Sequence, residues 1–144
     1  MGIEENKVVV RRIAEDVWNQ GNTSLLPELL APEYSYHAPN GLEIEKPEGY
    51  KRLVNIMKAA IPDRHMEVLS IIGEGNELAV QFSSSGTFTG KLLEWEPTGK
   101  SYKSKFANFY KFKDGKVIEE TEYFQEPSFE EQVGIESVEK QRRA

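Results

Sequence analysis

Two glutamates near the end of the chain, Glu120 and Glu122, have the spacing of a candidate acid–base pair. Successive side chains of a β-strand alternate between its faces, so residues two apart point to the same face. If that face is buried, loss of hydration favours the neutral carboxyl, which suits it to exchange a proton near neutral pH. The alternative is a solvated polar face, because Glu119 adds a third acid and crowded acids are usually exposed.

The strand that carries these acids is the second arm of a predicted β-hairpin. Residues 101–112 and 117–125 are both rich in aromatic and β-branched residues. They flank the pair Asp114-Gly115, which is a strong signal for a tight hairpin turn. The hairpin therefore makes the first arm the neighbour of the strand that carries the two glutamates.

An amide in the first arm is the second candidate for chemistry. Asn108 alternates with Phe106 and Tyr110, so these three would share a face. If that face is buried, the Asn108 amide needs a hydrogen-bond partner. It either donates to a carbonyl or enolate oxygen of a substrate, or bonds a neighbouring side chain.

The rest of the chain must cover this face, and its hydrophobic periodicity changes once from helical to strand-like. An α+β fold is indicated, because helices precede a run of antiparallel strands. A curved sheet wrapped by three helices would make a cone with an open mouth. The predicted helices span residues 4–20, 24–30, 47–60 and 128–133, and the strands before the hairpin span 33–38, 66–72 and 77–87.

Composition limits the class of protein. The length of 144 residues fits a single domain, with a core over about residues 5–134 and a charged, mobile tail over 135–144. A net charge of −6 argues against nucleic acid and anionic membranes as partners. The first residues lack a signal-peptide pattern and no apolar run reaches membrane length, so a cytoplasmic protein is predicted.

Six short motifs, listed below in chain order, resemble those of the SnoaL-like polyketide cyclases of the NTF2-like superfamily. The resemblance covers roughly residues 5–134. It implies a cone-shaped α+β barrel and a homodimer formed through the outer face of the sheet. The motifs are Val17-Trp18-Asn19-Gln20-Gly21-Asn22, Leu30-Ala31-Pro32-Glu33-Tyr34 followed by His37, Ile61-Pro62-Asp63, Gly86-Thr87-Phe88-Thr89-Gly90, Pro97-Thr98-Gly99-Lys100 and Asp114-Gly115-Lys116-Val117-Ile118-Glu119.

The resemblance also singles out one of the two acids. The general acid/base of these cyclases matches Glu122 by position, where the family usually has Asp. Asn108 and Glu120 stand where the family often has His, and Gln125 stands where it frequently has Asp. The resemblance thus implies that Glu122 transfers the proton, while Asn108 and a tyrosine stabilise the developing oxyanion.

A mostly apolar substrate pocket is predicted around Glu122 and Asn108. For its aromatic residues the alternative is simple core packing. Trp95, in a loop, is the candidate lid. His37 is either a substrate contact or a structural histidine, because strand alternation puts it opposite Tyr36 unless the strand bulges. The candidate substrate-binding residues are Trp18, Tyr36, His37, Met57, Phe88, Trp95, Phe106, Tyr110, Glu120 and Phe124.

These features predict an enzyme of the polyketide-cyclase type that closes a ring in a small hydrophobic carbonyl compound by an intramolecular aldol reaction. No metal is expected, because the two histidines are far apart and cysteine is absent. No cofactor is expected, because the glycines fit neither a dinucleotide fingerprint nor a P-loop. The alternatives are a non-catalytic small-ligand-binding or dimerisation module, and an isomerase or hydrolase of the same superfamily.

Overall fold

The computed structural model describes residues 2–124 and 128–135. A helical N-terminal part precedes one six-stranded sheet, and a short helix follows the sheet. Its elements are α1 (Ile3–Arg12) with a π-helical continuation (Ile13–Asn19), a 3-10 turn (Thr23–Leu25), α2 (Leu26–Leu29), β1 (Leu30–His37), β2 (Glu43–Glu45), α3 (Lys46–Ala60), β3 (His65–Glu74), β4 (Glu77–Thr87), β5 (Ser101–Lys113), β6 (Lys116–Phe124) and α4 (Phe129–Val133).

The sheet is curved and unclosed, with the strand order β2-β1-β6-β5-β4-β3. The predicted α+β class is therefore confirmed. Every neighbouring pair is antiparallel except β1 and β6, which run parallel. The short strand β2 was not predicted, since three residues are too few for a recognisable alternation.

The predicted hairpin forms from β5 and β6. Asp114 and Gly115 both adopt positive φ angles, 52° and 79°, as a two-residue turn of type I′ requires. The register places Asn108 opposite Glu122 and Tyr110 opposite Glu120. A bulge then shifts the pairing between Lys111 and Phe112. The hairpin thus sets the two acids and the amide on one face of the sheet, facing the helices.

The first helix widens into a π-helix where it meets the core. Ile13, Ala14, Val17 and Trp18 are all buried there. Their spacing of four and five residues fits the wider π turn, which keeps these positions on one side. Val8 lies off this stripe and is 55% exposed. The widened helix therefore brings Trp18 to the inner face of the sheet.

The side chain of the last residue of the π-helix ties this helix to the sheet. The Asn19 amide donates to the Met66 carbonyl oxygen at 2.8 Å and accepts from the Met66 N–H at 2.7 Å. This two-bond contact fixes the helix against the start of β3.

A loop over residues 88–100 closes one end of the molecule. The N–H groups of Thr89 and Gly90 donate to the Ala60 carbonyl oxygen at 3.1 and 2.9 Å. Gly90 passes so close to the end of α3 that a Cβ atom there would collide with the Ala59 carbonyl oxygen. A bridge between Leu92 and Trp95 folds the loop back on itself.

No helix among the described residues is long and apolar enough to cross a bilayer. The predicted charged tail falls, apart from residue 135, outside the residues that the structure describes. So does Gln125, which the family resemblance compared with an aspartate.

Candidate active site

A cavity of about 480 Å³ lies between the inner face of the sheet, α3, the loop over residues 88–100 and α4. Most of its wall is apolar, with a few polar groups, which is the usual make-up of a small-molecule site. Six of the predicted substrate-binding residues line it together with Glu122. These six are Trp18, Tyr36, Met57, Trp95, Phe106 and Phe124.

Glu122 presents its carboxylate to this cavity from β6. The Tyr36 hydroxyl donates to Glu122 Oε1 at 2.9 Å. Burial raises the pKa of Glu122 above its ordinary value, because a charged carboxylate loses hydration there. The Tyr36 hydrogen bond and the positive charge of Arg64 act against this rise in pKa. The group therefore combines access to the cavity with a strengthened affinity for a proton.

Glu120 lies beneath the cavity floor and is only 2% exposed. The Tyr34 hydroxyl donates to its Oε1 at 2.7 Å, and the Asn108 amide donates to its Oε2. Burial raises the pKa of Glu120 to about 7; the hydrogen bonds from Tyr34 and Asn108 oppose the rise, and the charge of Glu122 adds to it. Glu120 was a predicted substrate contact, yet it does not line the cavity.

Asn108 sits on β5 opposite Glu122 and is fully buried. Its Nδ2 donates to Glu120, and hydrogen bonding from Asn108 also lowers the pKa of Glu122. Its Oδ1 is buried without a hydrogen-bond partner in the part of the chain that the structure describes. Asn108 does not line the cavity, so the structure gives it the contact with a neighbouring side chain rather than one with a substrate. Asn108 thus interacts with both carboxyl groups.

Buried tyrosines surround the two acids. Burial raises the pKa values of Tyr34, Tyr36, Tyr50 and Tyr110, so their hydroxyls remain donors at neutral pH. The Tyr50 ring packs edge-on against Tyr34 and Tyr36, with centroids 5.5 and 6.3 Å away. The Tyr50 hydroxyl accepts from Trp18 Nε1 at 2.7 Å. This packing holds the donors of both glutamates in place.

Three further predicted substrate residues lie elsewhere. His37 points away from Tyr36 along β1, and its Nδ1 contacts the Glu43 carboxylate at 2.8 Å, so it has a structural partner instead. Phe88 is fully buried in a separate core cluster with Ile61 and Val133. Tyr110 belongs to the main core under the cavity. Sequence alternation predicts which face of a strand a side chain occupies. It does not predict whether that side chain lines the cavity or packs in the core.

Arg64 is the site residue that sequence reasoning missed. Its Nε donates to Ser84 Oγ and to the Tyr102 hydroxyl, both at 3.1 Å, and its guanidinium lies 4.1 Å from the centre of the Trp18 ring. Arg64 and Ser84 both line the cavity. Ser84 is buried. The turn before β3 was visible in the sequence, but the direction of the Arg64 side chain was not.

The described residues contain no group of three or more His, Cys, Asp or Glu side chains that could hold a metal ion. The polar side chains of the cavity lining carry carboxyl, hydroxyl, guanidinium and amide groups. These groups can donate hydrogen bonds, stabilise negative charge and exchange protons.

Comparison with known proteins identifies a matching family and several similar structures. The family model for SnoaL-like polyketide cyclases matches residues 8–133. No curated protein was found to match the sequence. A proposed SnoaL-like polyketide cyclase from Jannaschia sp. CCS1 is similar in structure, with a TM-score of 0.81 and 19% identity over 90% of this chain and 92% of that one.

Two other solved structures have the same fold. TsrD from Streptomyces laurentii gives a TM-score of 0.80 at 17% identity, over 93% of this chain and 98% of that one. A protein with a ketosteroid isomerase-like fold from Catenulispora acidiphila gives 0.74 at 16% identity, over 89% and 93%. At these identities the neighbours show the fold, and the family match covers nearly the whole chain. The chain therefore belongs to the SnoaL-like polyketide cyclase family.

Proposed function

We propose that the protein acts on a small hydrophobic carbonyl compound, and that Glu122 moves the proton without a cofactor. The observation that carries this proposal is the placement of the Glu122 carboxylate. It lines an apolar cavity, accepts a hydrogen bond from Tyr36 and has a raised pKa. A carboxylate in such surroundings is a stronger base than one in water, and general acid–base catalysis needs a pKa closer to the working pH.

The proposed reaction is an intramolecular aldol closure. The ionised Glu122 takes a proton from the carbon next to a carbonyl group, and the electron pair of that C–H bond forms the enolate. The enolate carbon then bonds to a second carbonyl carbon of the same molecule. The C=O electrons of that group move to its oxygen, which takes the proton back from Glu122. The carboxylate is regenerated and no other reactant is consumed.

Tyr36 is the donor that supports this cycle. Its hydroxyl bonds the Glu122 carboxylate in the resting site. Once Glu122 is protonated it is a weaker acceptor, so the same hydroxyl can turn to the enolate oxygen. The burial that raises the pKa of Tyr36 keeps its proton in place for this task. Of the two predicted oxyanion contacts, Asn108 and a tyrosine, this proposal keeps the tyrosine, because Tyr36 lines the cavity and Asn108 does not.

The first step is measurable without the natural substrate. In D2O, a protein that removes an α-proton from 1-tetralone and returns a deuteron exchanges the hydrogens at carbon 2, which proton NMR follows directly. We expect the native protein to accelerate this exchange over buffer. Glu122→Gln should lower the acceleration by about 100-fold, a usual contribution of a general base.

The control is Glu43→Gln, which removes another carboxylate of the cavity lining, at its exposed rim. That variant should exchange the ketone like the native protein. A non-catalytic binder would be stabilised against heat by 1-tetralone but would not accelerate exchange in any form. That outcome, or equal exchange by the native and Glu122→Gln proteins, would contradict the proposal.

A further inference from the structure

We infer that Arg64 is an anion-binding residue of the cavity and that the compound bound there carries a carboxylate group. This inference deepens the proposed function and rests on it, because it takes the cavity to be the substrate site. It concerns a part of the ligand distinct from the carbon that Glu122 deprotonates.

The Arg64 side chain is held in place before any ligand arrives. The Trp18 ring covers one side of the guanidinium, with 4.1 Å between Arg64 Cζ and the ring centre. The hydroxyls of Ser84 and Tyr102 both accept from Nε, and they bond each other at 2.7 Å. A long, flexible side chain is thereby restricted on the Nε side. Less conformational entropy is then lost when a ligand binds.

The backbone of Arg64 is also fixed. The Arg64 N–H donates to the Ile61 carbonyl oxygen at 3.0 Å, which closes the turn into β3. Asp63 Oδ1 accepts from the Thr87 N–H at 2.8 Å and joins this turn to the end of β4. Gly86 makes the close approach possible, because a Cβ there would lie 3.2 Å from Arg64 Cα and would collide with the Ile61 side chain.

The described part of the chain supplies no anionic partner for Arg64. Within residues 2–124 and 128–135, the ion pairs of arginine involve Arg12, and none involves Arg64. Arg64 Nη1 is buried and has no acceptor among the described residues. A buried donor without a partner is costly, and an unpaired buried charge is more so. The guanidinium is a planar fork that matches a carboxylate through two parallel hydrogen bonds, so a carboxylate ligand fits the missing acceptor.

Glu122 is not the anionic partner of Arg64. The charge of Arg64 lowers the Glu122 pKa, yet the two groups form no ion pair. Both line the same cavity, between walls that are mostly apolar. A ligand carboxylate at Arg64 would anchor one end of a molecule whose apolar body fills the cavity towards Glu122. The two charged residues then have separate tasks, one for holding and one for proton transfer.

The test compares 4-cyclohexylbutanoate with its primary amide, 4-cyclohexylbutanamide, which has nearly the same shape but no charge. Both tryptophans of the chain, Trp18 and Trp95, line the cavity, so intrinsic fluorescence reports binding of these saturated, transparent ligands. We expect the native protein to bind the carboxylate about tenfold or more tightly than the amide, as a charge-assisted hydrogen bond allows. The net charge of −6 opposes this preference, so it must arise locally.

Arg64→Gln should bring the two affinities together, while Arg64→Lys, which keeps the charge, should retain part of the preference. The matched control is Arg52→Gln, which removes an exposed arginine from the cavity lining and should leave the preference unchanged. Equal affinity of the native protein for the acid and the amide would overturn this inference but not the proposed function. So would a preference for the acid that is lost in Arg52→Gln and kept in Arg64→Gln. Failure of the native protein to bind either ligand would overturn both the inference and the proposed ligand site.

Discussion

Glu120 and Glu122 leave the same face of β6, yet their surroundings differ in one respect that matters for chemistry. Glu122 lines the cavity, whereas Glu120 is enclosed by Tyr34, Asn108 and Tyr110. Two nearby carboxylates disfavour each other's ionised forms, and burial acts in the same direction. We therefore interpret Glu120 as a positioning residue that keeps the neighbouring amide and tyrosines in place.

The Asn108 amide can serve Glu120 in either protonation state. Asn108 Nδ2 donates to the Glu120 carboxylate, and Oδ1 has no partner within residues 2–124 and 128–135. Rotation of the amide exchanges these two atoms, so that Oδ1 can accept a hydrogen bond from a protonated Glu120. An asparagine is thus suited to a carboxyl group that gains and loses a proton near neutral pH.

The raised pKa of Glu120 makes stability depend on pH. The folded protein binds this proton more tightly than the unfolded chain, so the stabilisation is complete below about pH 4.5 and is lost as the pH rises through about 7. Glu120→Gln, which cannot ionise, should escape that loss. Relative to the native protein, its free energy of unfolding should improve by about 2 kcal/mol between pH 5 and pH 8.

Urea denaturation at the two pH values measures this change. Glu119→Gln is the control, because Glu119 lies on the opposite face of β6 and is partly exposed. It should show no such improvement with pH. A difference between the Glu120→Gln and native proteins that stays constant from pH 5 to pH 8 would contradict the assignment of a titrating, buried Glu120.

At the scale of elements, the β5–β6 hairpin was predictable because its signals are local. Asp114 and Gly115 favour the positive φ angles of the turn, and the aromatic alternation gives each arm its inner face. From these two features the sequence predicted that Asn108 shares a face of the first arm with Phe106 and Tyr110, and that the two glutamates share a face of the second. The same reasoning located α3 and β4 to within one residue of their bounds.

Other parts depend on contacts between distant residues, which local patterns do not contain. The parallel pairing of β1 with β6 joins Tyr36 to Glu120, far apart in the chain. Nothing in either segment specifies its partner. The three groups that hold Arg64 come from the π-helix, β4 and β5. Its role emerges only when the sheet and the first helix are assembled.

The sequence did not predict which inner side chains line the cavity and which pack in the core. Phe88 and Phe106 are both buried aromatics, but Phe106 lines the cavity and Phe88 fills a separate core cluster. Alternation distinguishes two faces of a strand and does not distinguish packed core from cavity wall. The curvature of the sheet and the path of the loop over residues 88–100 decide between them.

For the whole molecule, we propose a homodimer formed through the outer face of the sheet, as the family resemblance implied. Phe109 and Tyr123 are 51% and 57% exposed there, and their rings pack edge-on with centroids 5.8 Å apart. Ile72, 70% exposed, lies on β3. Ile72 pairs with Ala79 of β4, and Ala79 pairs with Phe109 of β5. Exposed apolar side chains grouped on one face mark an interaction surface.

The dimer is tested by light scattering after size-exclusion chromatography. The native protein should elute with twice the chain mass, and Phe109→Lys should elute as a monomer, because a buried, unpaired charge at an interface is costly. Val8→Lys is the control, since Val8 is similarly exposed but lies on α1. A monomeric native protein, or a Phe109→Lys variant that remains a dimer, would contradict this assembly.

The pH profile of α-proton exchange shows whether Glu122 is the base of the cavity. The rate of deuterium incorporation into 1-tetralone should rise with pH as Glu122 ionises, and then level off. Because the pKa of this carboxyl is raised above 4.5, the midpoint of the rise should lie above that value. Glu122→Gln should abolish the rise. A midpoint at 4.5, or a profile that survives in Glu122→Gln, would contradict the account.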